Sequence, residues 1–385
     1  HETVTLDAIV GGGQAIGTLE NGKKAFVWGG LPGETVQIRV TKKKSKLIEG
    51  IVEQVITPSP ERIVPQEPDS FLSTSPWQLM TFDAEQAYKA MLIDEAFTLH
   101  HVSLPQSTSV YTDSVQFGYR NKVEFSWYGD EDELGNEILD LAFFRRGGRG
   151  KIVVTSTKLA HDAINNCAIA IRDHLRAQGV SARQLKTLLI RSDQRGGCVW
   201  QLYVKDESLG TCIDADAARH FPAQGGEVIF SDPRSPASRI TKRLSAHGDI
   251  VLTDTILGTP FRYATEGFFQ VNIPVYETAL RDMQTWVKPG TVVDMYAGVG
   301  SIGLTIGGDD CTLVEIDENA VREMQENISR LDSSAHAVLA ASEHALEYLT
   351  PEATVILDPP RAGLHQVVVD KLLEAKPSRI IYLSC

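Results

Sequence analysis

At 385 residues the chain exceeds what one hydrophobic core organises, so two or three domains are expected. Its 42% hydrophobic, 23% charged and 7% aromatic residues describe an ordinary globular protein; no apolar run has the length of a membrane helix and no charged-then-apolar leader opens the chain, so there is no membrane partner to expect and the cytoplasm is the default compartment. The cysteines Cys167, Cys198, Cys212, Cys311 and Cys385 make no CxxC pair and no cysteine–histidine spacing, which excludes a zinc site and a disulfide framework, and a formal charge of -13 disfavours gripping a polyanion with the whole surface.

Residues 3 to about 57 alternate apolar and polar positions in "TVTLDAIV", "KKAFVWGG", "ETVQIRV" and "LIEGIVEQVI", with Asn21-Gly22 suited to a tight hairpin. Five short strands in so few residues predict a small closed β-barrel, residues 1–58. "TPSPERIVPQEP" then carries four prolines in twelve residues and reads as a linker, 59–82. "DAEQAYKAMLIDEAFTLHH" has helical spacing behind Asp83, a residue able to cap the first turn; this segment, 83–108, is expected to pack on the C-terminal domain.

The middle, 109–266, mixes strands and helices as an α+β region: "AINNCAIAIRDHLRAQGV" is amphipathic, and "TLLIRSDQRGGCVWQLYV" reads as a hairpin. Basic clusters lie at Lys42–Lys46, Arg145–Lys151 and Arg239–Arg243; each alone fits a solvated loop, and the three together suggest a segregated basic face. From 267 to 385, four nearly all-apolar runs ("TVVDMYAG", "CTLVEID", "ATVILDPPR", "RIIYLSC") alternate with helical segments, which predicts an α/β Rossmann-like parallel sheet buried on both faces.

Within "VVDMYAGVGSIGLTI", Gly298, Gly300 and Gly303 satisfy GxGxxG, and Glu315 lies 17 residues beyond Gly298 at the end of the next strand. A structural glycine turn remains open, as does a surface-facing Glu315. Asp294, just before the turn, sits badly with a pyrophosphate but suits a cofactor carrying an ammonium or sulfonium, S-adenosyl-L-methionine; the helix N-terminus would face its carboxylate and Glu315 its ribose hydroxyls. In "ILDPPRAGL", two prolines force the chain out of the sheet and hold Asp358 rigid at a strand end, as a site carboxylate or as a helix cap. A right-handed crossover would make the strands ending at Asp358 and Cys385 adjacent and parallel, about 4.8 Å apart, so their tips could flank a pyrimidine ring.

Taken in order, "GYRNK", "GFFQVN", "DMYAGVG", "VEID", "LDPPRAG" and "YLSC" resemble the RNA uracil-C5 methyltransferases, with an N-terminal barrel similar to a TRAM domain; the resemblance spans the chain. It implies a class I methyltransferase sheet, S-adenosyl-L-methionine as cofactor, RNA as partner (23S ribosomal RNA favoured over transfer RNA) and a monomer. By position it makes Gln270, Tyr296, Gly298, Gly300, Ser301, Glu315 and Asp358 cofactor contacts, and Phe268, Phe269, Gln270, Asn272, Arg361, Arg120 and Lys122 substrate contacts. Asp358 and Cys385 are then catalytic, Cys385 as the nucleophile that adds to carbon 6 of uracil; Phe268 and Phe269 would stack on the base, or belong to the core.

Three departures from that pattern stand out. "SFLSTSPWQLM" replaces the cysteines that many relatives use for an iron-sulfur cluster, so no cluster is expected; Ala340, Ala341 and Ser342 replace a polar contact to adenine. The general-base glutamate of the family lies beyond its cysteine. A first residue that is not methionine and a last residue that is Cys385 lead to the expectation of an excised piece, with accumulation of a covalent RNA adduct. Two other classes stay open: a non-catalytic RNA-binding protein, whose binding would ignore cofactor and Cys385→Ala, and a nicotinamide-dependent oxidoreductase, which would bind NADH instead of S-adenosylhomocysteine.

Overall fold

A computed structural model describes residues 1–135 and 137–384. The chain divides into two compact units, one built from residues 1–118, 125–160 and 168–187, the other from 119–124, 161–167 and the chain from 188 onward.

The first unit opens with β1 (Glu2–Ile9), β2 (Ala15–Thr18), β3 (Lys24–Trp28), β4 (Thr35–Lys43) and β5 (Leu47–Thr57), closed into a barrel in the order β1-β2-β3-β5-β4. Alternate residues of β1 and β4 point inward: Val4, Leu6, Val36 and Ile38 are buried, as the two-residue period of a closed sheet requires. One carboxylate ties the following segment to the barrel. Glu34, fully buried, accepts from the amides of Leu31 (2.8 Å) and Ser59 (3.1 Å) and from Arg62 Nη2 (2.7 Å), and Arg62 also donates to the Gly29 carbonyl at 2.8 Å. Burial acts to raise the Glu34 carboxyl, but Arg62 and the two amides together hold it below its usual value. A depressed carboxyl contributes stability that is present above the unfolded value and lost as pH falls through the folded one. Arg62→Ala leaves the buried carboxylate without its cation and is expected to destabilise the first unit by about 3–5 kcal/mol, read as a lower denaturant midpoint at neutral pH.

After α1 (Phe71–Thr74) comes α2 (Phe82–Leu99). Its cap is Thr81, whose side chain accepts from the Ala84 amide; Asp83, expected in that position, sits inside the first turn, where a carboxylate still complements the helix dipole. Then follow β6 (Lys122–Glu131), β7 (Glu137–Phe144), β8 (Lys151–Val153) and α3 (Asp162–Ala177), with β6/β7 and β7/β8 antiparallel. The expected basic face is partly consumed by internal ties. Arg146 donates to the Leu72 carbonyl (2.6 Å) and lies 4.2 Å over the Trp28 ring, and Lys151 Nζ donates to the Trp127 carbonyl (2.7 Å).

β9 (Leu185–Ser192), which belongs to the second unit from residue 188, and β10 (Cys198–Val204) form the expected pair, followed in that unit by α4 (Ala215–His220), β11 (Gly225–Phe230) and β12 (Lys242–Gly248). A hairpin of β13 (Val251–Ile256) and β14 (Thr259–Ala264) leads through α5 (Ile273–Trp286) into an all-parallel sheet: β15 (Val292–Met295), α6 (Gly303–Ile306), β16 (Cys311–Glu315), α7 (Glu318–Arg330), β17 (His336–Leu339), β18 (Thr354–Leu357), α8 (Gln366–Ala375) and β19 (Arg379–Tyr382). Strand order is β17-β16-β15-β18-β19, so the winding reverses between β15 and β18 and opens a crevice at their carboxyl ends. Leu280, Leu313 and Ile356 pack one face of this sheet, Val293, Val355 and Val368 the other. The fifth strand, β17, was not among the four apolar runs because only its two central residues are even partly buried. As expected, β18 and β19 are adjacent and parallel, with Leu357 opposite Tyr382, and the Leu383 amide donates to the Leu357 carbonyl at 2.8 Å.

Candidate active site

The crevice deepens into a cleft of about 1560 Å³, lined by the turn after β15 (Tyr296, Gly298, Val299), the end of β16 and the residues that follow it (Glu315, Ile316, Asp317), Ala340–Ser342, the proline corner Asp358–Arg361, and a wall carrying Arg262, Glu266 and Phe268. The first four of these segments lie where a strand ends and the chain leaves the ladder, whereas Arg262 lies within β14 and residues of α7 complete the lining.

The turn after β15 is built around a buried acid. Asp294 is fully buried, its Oδ2 accepts from the Gly303 amide at 2.8 Å, and its Oδ1 has no partner. Burial pushes its carboxyl up to about 7; the Gly303 amide opposes this, and the charges of Asp358 and Glu315 add to the rise. Asp294 therefore lies under the turn and is not a cleft-wall partner for a cofactor ammonium, a correction to the sequence reading. The expected helix N-terminus is corrected too: α6 has four residues, and the Gly303 amide is already engaged by Asp294. Tyr296 takes a left-handed backbone (φ 66°), uncommon for a bulky residue, and its hydroxyl lies 2.8 Å from Ser342 Oγ; such strain clusters at functional turns. A Cβ on Gly303 would meet Leu313 Cδ2 at 2.2 Å and Asp294 Oδ2 at 3.1 Å. Gly303→Ala is expected to cost about 1–3 kcal/mol by overpacking and to weaken S-adenosylhomocysteine binding, checked by thermal melting with and without that ligand.

Glu315 holds the turn from the other strand. Its Oε2 accepts from the Gly298 amide (2.9 Å), and its Oε1 accepts from the amides of Ile316 and Asp317 (both 2.8 Å). Three of a carboxylate's roughly four acceptor positions are thus filled, leaving capacity for one ribose hydroxyl rather than two. Ile316, 68% exposed, offers an apolar surface for a flat ring, and Ala340, Ala341 and Ser342 line the same end of the cleft. Gly298 is left-handed (φ 57°) with nothing within 4 Å of where a Cβ would stand, so a ligand can approach its backbone.

Asp358 is partly buried on the cleft wall, and burial pushes its carboxyl up to about 6; Arg361 is exposed on the same corner. The two phenylalanines separate as neighbours in an extended segment must. Phe268 is 70% exposed at the cleft, whereas Phe269 is buried and stacks on Tyr263 at 4.0 Å, which assigns it to the core and removes it as a base-stacking residue.

Other expected contacts stand beside the cleft and are not among its lining residues. The Gln270 carbonyl accepts from Asn121 Nδ2 (2.9 Å), Asn272 caps α5 through the Val275 amide, and Ser301 Oγ lies 3.1 Å from the Tyr276 hydroxyl. Arg120 donates to the Lys122 carbonyl, and burial lowers Lys122 to about 8, near the Glu266 carbonyl. Gly300 closes the glycine turn through its amide to the Ala297 carbonyl, 2.8 Å. Cys385 lies outside the described residues.

Sequence reading missed the brace behind Phe268. Arg191, nearly fully buried, donates to the Gly267 carbonyl (2.9 Å) and lies 5.3 Å from the centroid of the Tyr263 ring, whose hydroxyl donates to Asp254 (2.7 Å). No motif marks these residues; a buried arginine announces itself only through the carbonyls and rings around it. Among the described residues, no group of three or more His, Cys, Asp or Glu side chains could hold a metal ion, and no helix is long and apolar enough to cross a membrane.

Comparison with known proteins supplies the remaining findings. The TRAM domain profile matches residues 3–52, and a profile described as conserved hypothetical protein 95 matches residues 274–383. Along 99% of its length the chain is 27% identical to an uncharacterized RNA methyltransferase of Nitratidesulfovibrio vulgaris, of which it covers 86%, and 24% identical to one of Thermosynechococcus vestitus, of which it covers 87%. The crystal structure of Pyrococcus abyssi tRNA (uracil-54, C5)-methyltransferase with S-adenosyl-L-homocysteine superposes with a TM-score of 0.78 at 18% identity, covering 99% of this chain and 90% of that one. The fold is accordingly an N-terminal TRAM barrel joined to a class I methyltransferase sheet.

Proposed function

We propose that this chain, whose TRAM domain, methyltransferase fold and RNA-methyltransferase relatives support the reading, methylates carbon 5 of a uridine in RNA with S-adenosyl-L-methionine as donor. The observation that carries the reading is one cleft in which a glycine turn, a ribose-accepting carboxylate, an exposed aromatic ring and a rigid strand-end aspartate meet. Its volume of about 1560 Å³ exceeds the roughly 300–1,000 Å³ of a single-ligand pocket, so a cofactor and a flipped nucleotide fit together.

The residues present suit the cofactor. Gly298 leaves open space over the turn, Glu315 keeps one acceptor position for a ribose hydroxyl, and Ile316 with Ala341 forms an apolar slot for adenine. S-adenosyl-L-methionine bound there supplies an electrophilic methyl group on a positive sulfur. Phe268 stacks on the uracil, and Asp358 accepts its ring N–H. The Cys385 thiolate adds to carbon 6, pushing the double-bond electrons onto the carbon 4 oxygen and making carbon 5 a nucleophile. Once carbon 5 carries the methyl group, loss of its proton to a base restores the double bond and expels the thiolate. The barrel, residues 1–58, and the middle region, 109–266, are assigned to RNA binding, and both ribosomal and transfer RNA stand as substrates to test.

RNA carrying 5-fluorouridine tests the covalent step, because fluorine cannot leave as a proton does and the adduct persists. Ribosomal and transfer RNA transcripts made this way are expected to give a cofactor-dependent protein–RNA species, mapped by mass spectrometry to the peptide that carries Cys385. RNA binding without any such species from either transcript would sink the proposal.

A further inference from the structure

The cleft wall between β14 and α7 contains a poorly made ion pair. Arg262 Nε lies 3.3 Å from Glu323 Oε2, yet both atoms are shielded from solvent and neither has a hydrogen bond. A pair left in this state is unusual, since arginine and carboxylate normally close into charge-assisted hydrogen bonds and buried polar atoms are rarely left unsatisfied. The arginine backbone is fixed: its amide donates to Asn327 Oδ1 (2.8 Å) and its carbonyl accepts from Asn327 Nδ2 (3.0 Å). Asn327 is fully buried and also donates to the Val299 carbonyl in the glycine turn at 3.2 Å, so the backbone that carries the guanidinium is tied to that turn while the guanidinium's partnership with Glu323 stays incomplete.

Several other groups that could receive an anion nearby are committed, and Arg361 stands exposed at the proline corner on another segment of the lining. Arg243 is shared between Glu227 and Glu266, Arg322 donates to Asn319, and the Gly298 and Gly303 amides are taken by Glu315 and Asp294. Both reactants of the proposed reaction nevertheless bring anions into this cleft.

We propose that Arg262 is an anion-binding residue of the cleft and that Glu323 is a stand-in counter-ion, displaced when a reactant oxyanion arrives. This rests on the methyl-transfer reading above and names the residue that receives the oxyanion. The same chemistry has two sources, the methionyl carboxylate of the cofactor and an RNA phosphate.

The test compares the full chain with Arg262→Gln and Glu323→Gln, measuring S-adenosylhomocysteine affinity by calorimetry and RNA affinity across a salt series. Arg262→Gln is expected to weaken one ligand by about tenfold or more, and Glu323→Gln to tighten that same ligand, because it removes the competitor. A carboxylate source shows in the calorimetric arm and vanishes with a decarboxylated analogue; a phosphate source shows in the RNA arm, with the salt slope of Arg262→Gln smaller by about 1. If both substitutions weaken the same ligand, or neither moves either affinity in folded protein, Arg262 is only a brace and the proposal is overturned. A wild-type chain that binds S-adenosylhomocysteine but no RNA would instead overturn the methyl-transfer reading, while the calorimetric arm still decides the role of Arg262.

Discussion

Cys385→Ala is expected to lower single-turnover methyl transfer to RNA by at least ~10⁴-fold while leaving S-adenosylhomocysteine affinity unchanged. Carbon 5 of uracil is too weak a nucleophile to take a methyl group unaided, and addition of sulfur at carbon 6 is what makes it one. In the proposed mechanism the thiol acts on the base and not on the donor, so binding and chemistry are expected to separate cleanly. Cys385→Ser tests the same point from another side: an alkoxide is far harder to form than a thiolate near neutral pH, so serine should rescue little. The measurement is transfer of a labelled methyl group with enzyme in excess over RNA. Loss of cofactor binding in step with activity would assign the residue a structural role.

Replacement of Asp358 should produce the next largest loss, about 10²–10³-fold in kcat/KM for Asp358→Ala, the range typical of one preorganised polar group facing a reacting centre. The acid stands at the end of β18, on a backbone that Pro359 and Pro360 turn out of the sheet, so it is held by chain stiffness rather than by a network. Burial raises its carboxyl to about 6. In the proposed role of acceptor for the uracil N–H it binds more strongly when ionised, and the ionised fraction grows as pH rises through that value. Activity should therefore climb between about pH 5 and 7 and level off above. Asp358→Asn keeps the shape and an acceptor oxygen but cannot titrate, so its weaker activity should show no limb near pH 6. A wild-type limb that persists in Asp358→Asn would move the titration to another group.

Much of the architecture was legible because period and punctuation recorded it. Inward positions such as Val4, Leu6, Val36 and Ile38 alternate strictly, and the runs around Asp294, Val314 and Ile356 are apolar because their strands are covered on both faces, whereas in β19 only Ile381 is buried and Ile380 and Tyr382 stand exposed. Edge strand β17 lacked that signal, and α6 is too short for a period to show. Within the site, spacing located the glycine turn, Glu315 and Asp358, since each follows directly from where a strand stops. It could not tell Phe268 from Phe269, because which of two adjacent aromatics faces inward depends on Tyr263 and Arg191, remote in sequence. Asp294 was misread for a similar reason: an acid at a strand end looks alike whether it faces the cleft or, as here, pins the Gly303 amide from below. The Arg262–Glu323 pair carried no motif at all, because it forms only where β14 meets α7, far apart in sequence.

The central claim is that a sulfur nucleophile on this chain directs a methyl group to carbon 5 of uracil. Nucleoside mass spectrometry of RNA digested after incubation with the protein and labelled S-adenosyl-L-methionine tests it most directly. The account predicts labelled 5-methyluridine with the wild-type chain and none with Cys385→Ala. Label recovered on a ribose hydroxyl or on another base, or 5-methyluridine formed equally well without Cys385, would contradict it.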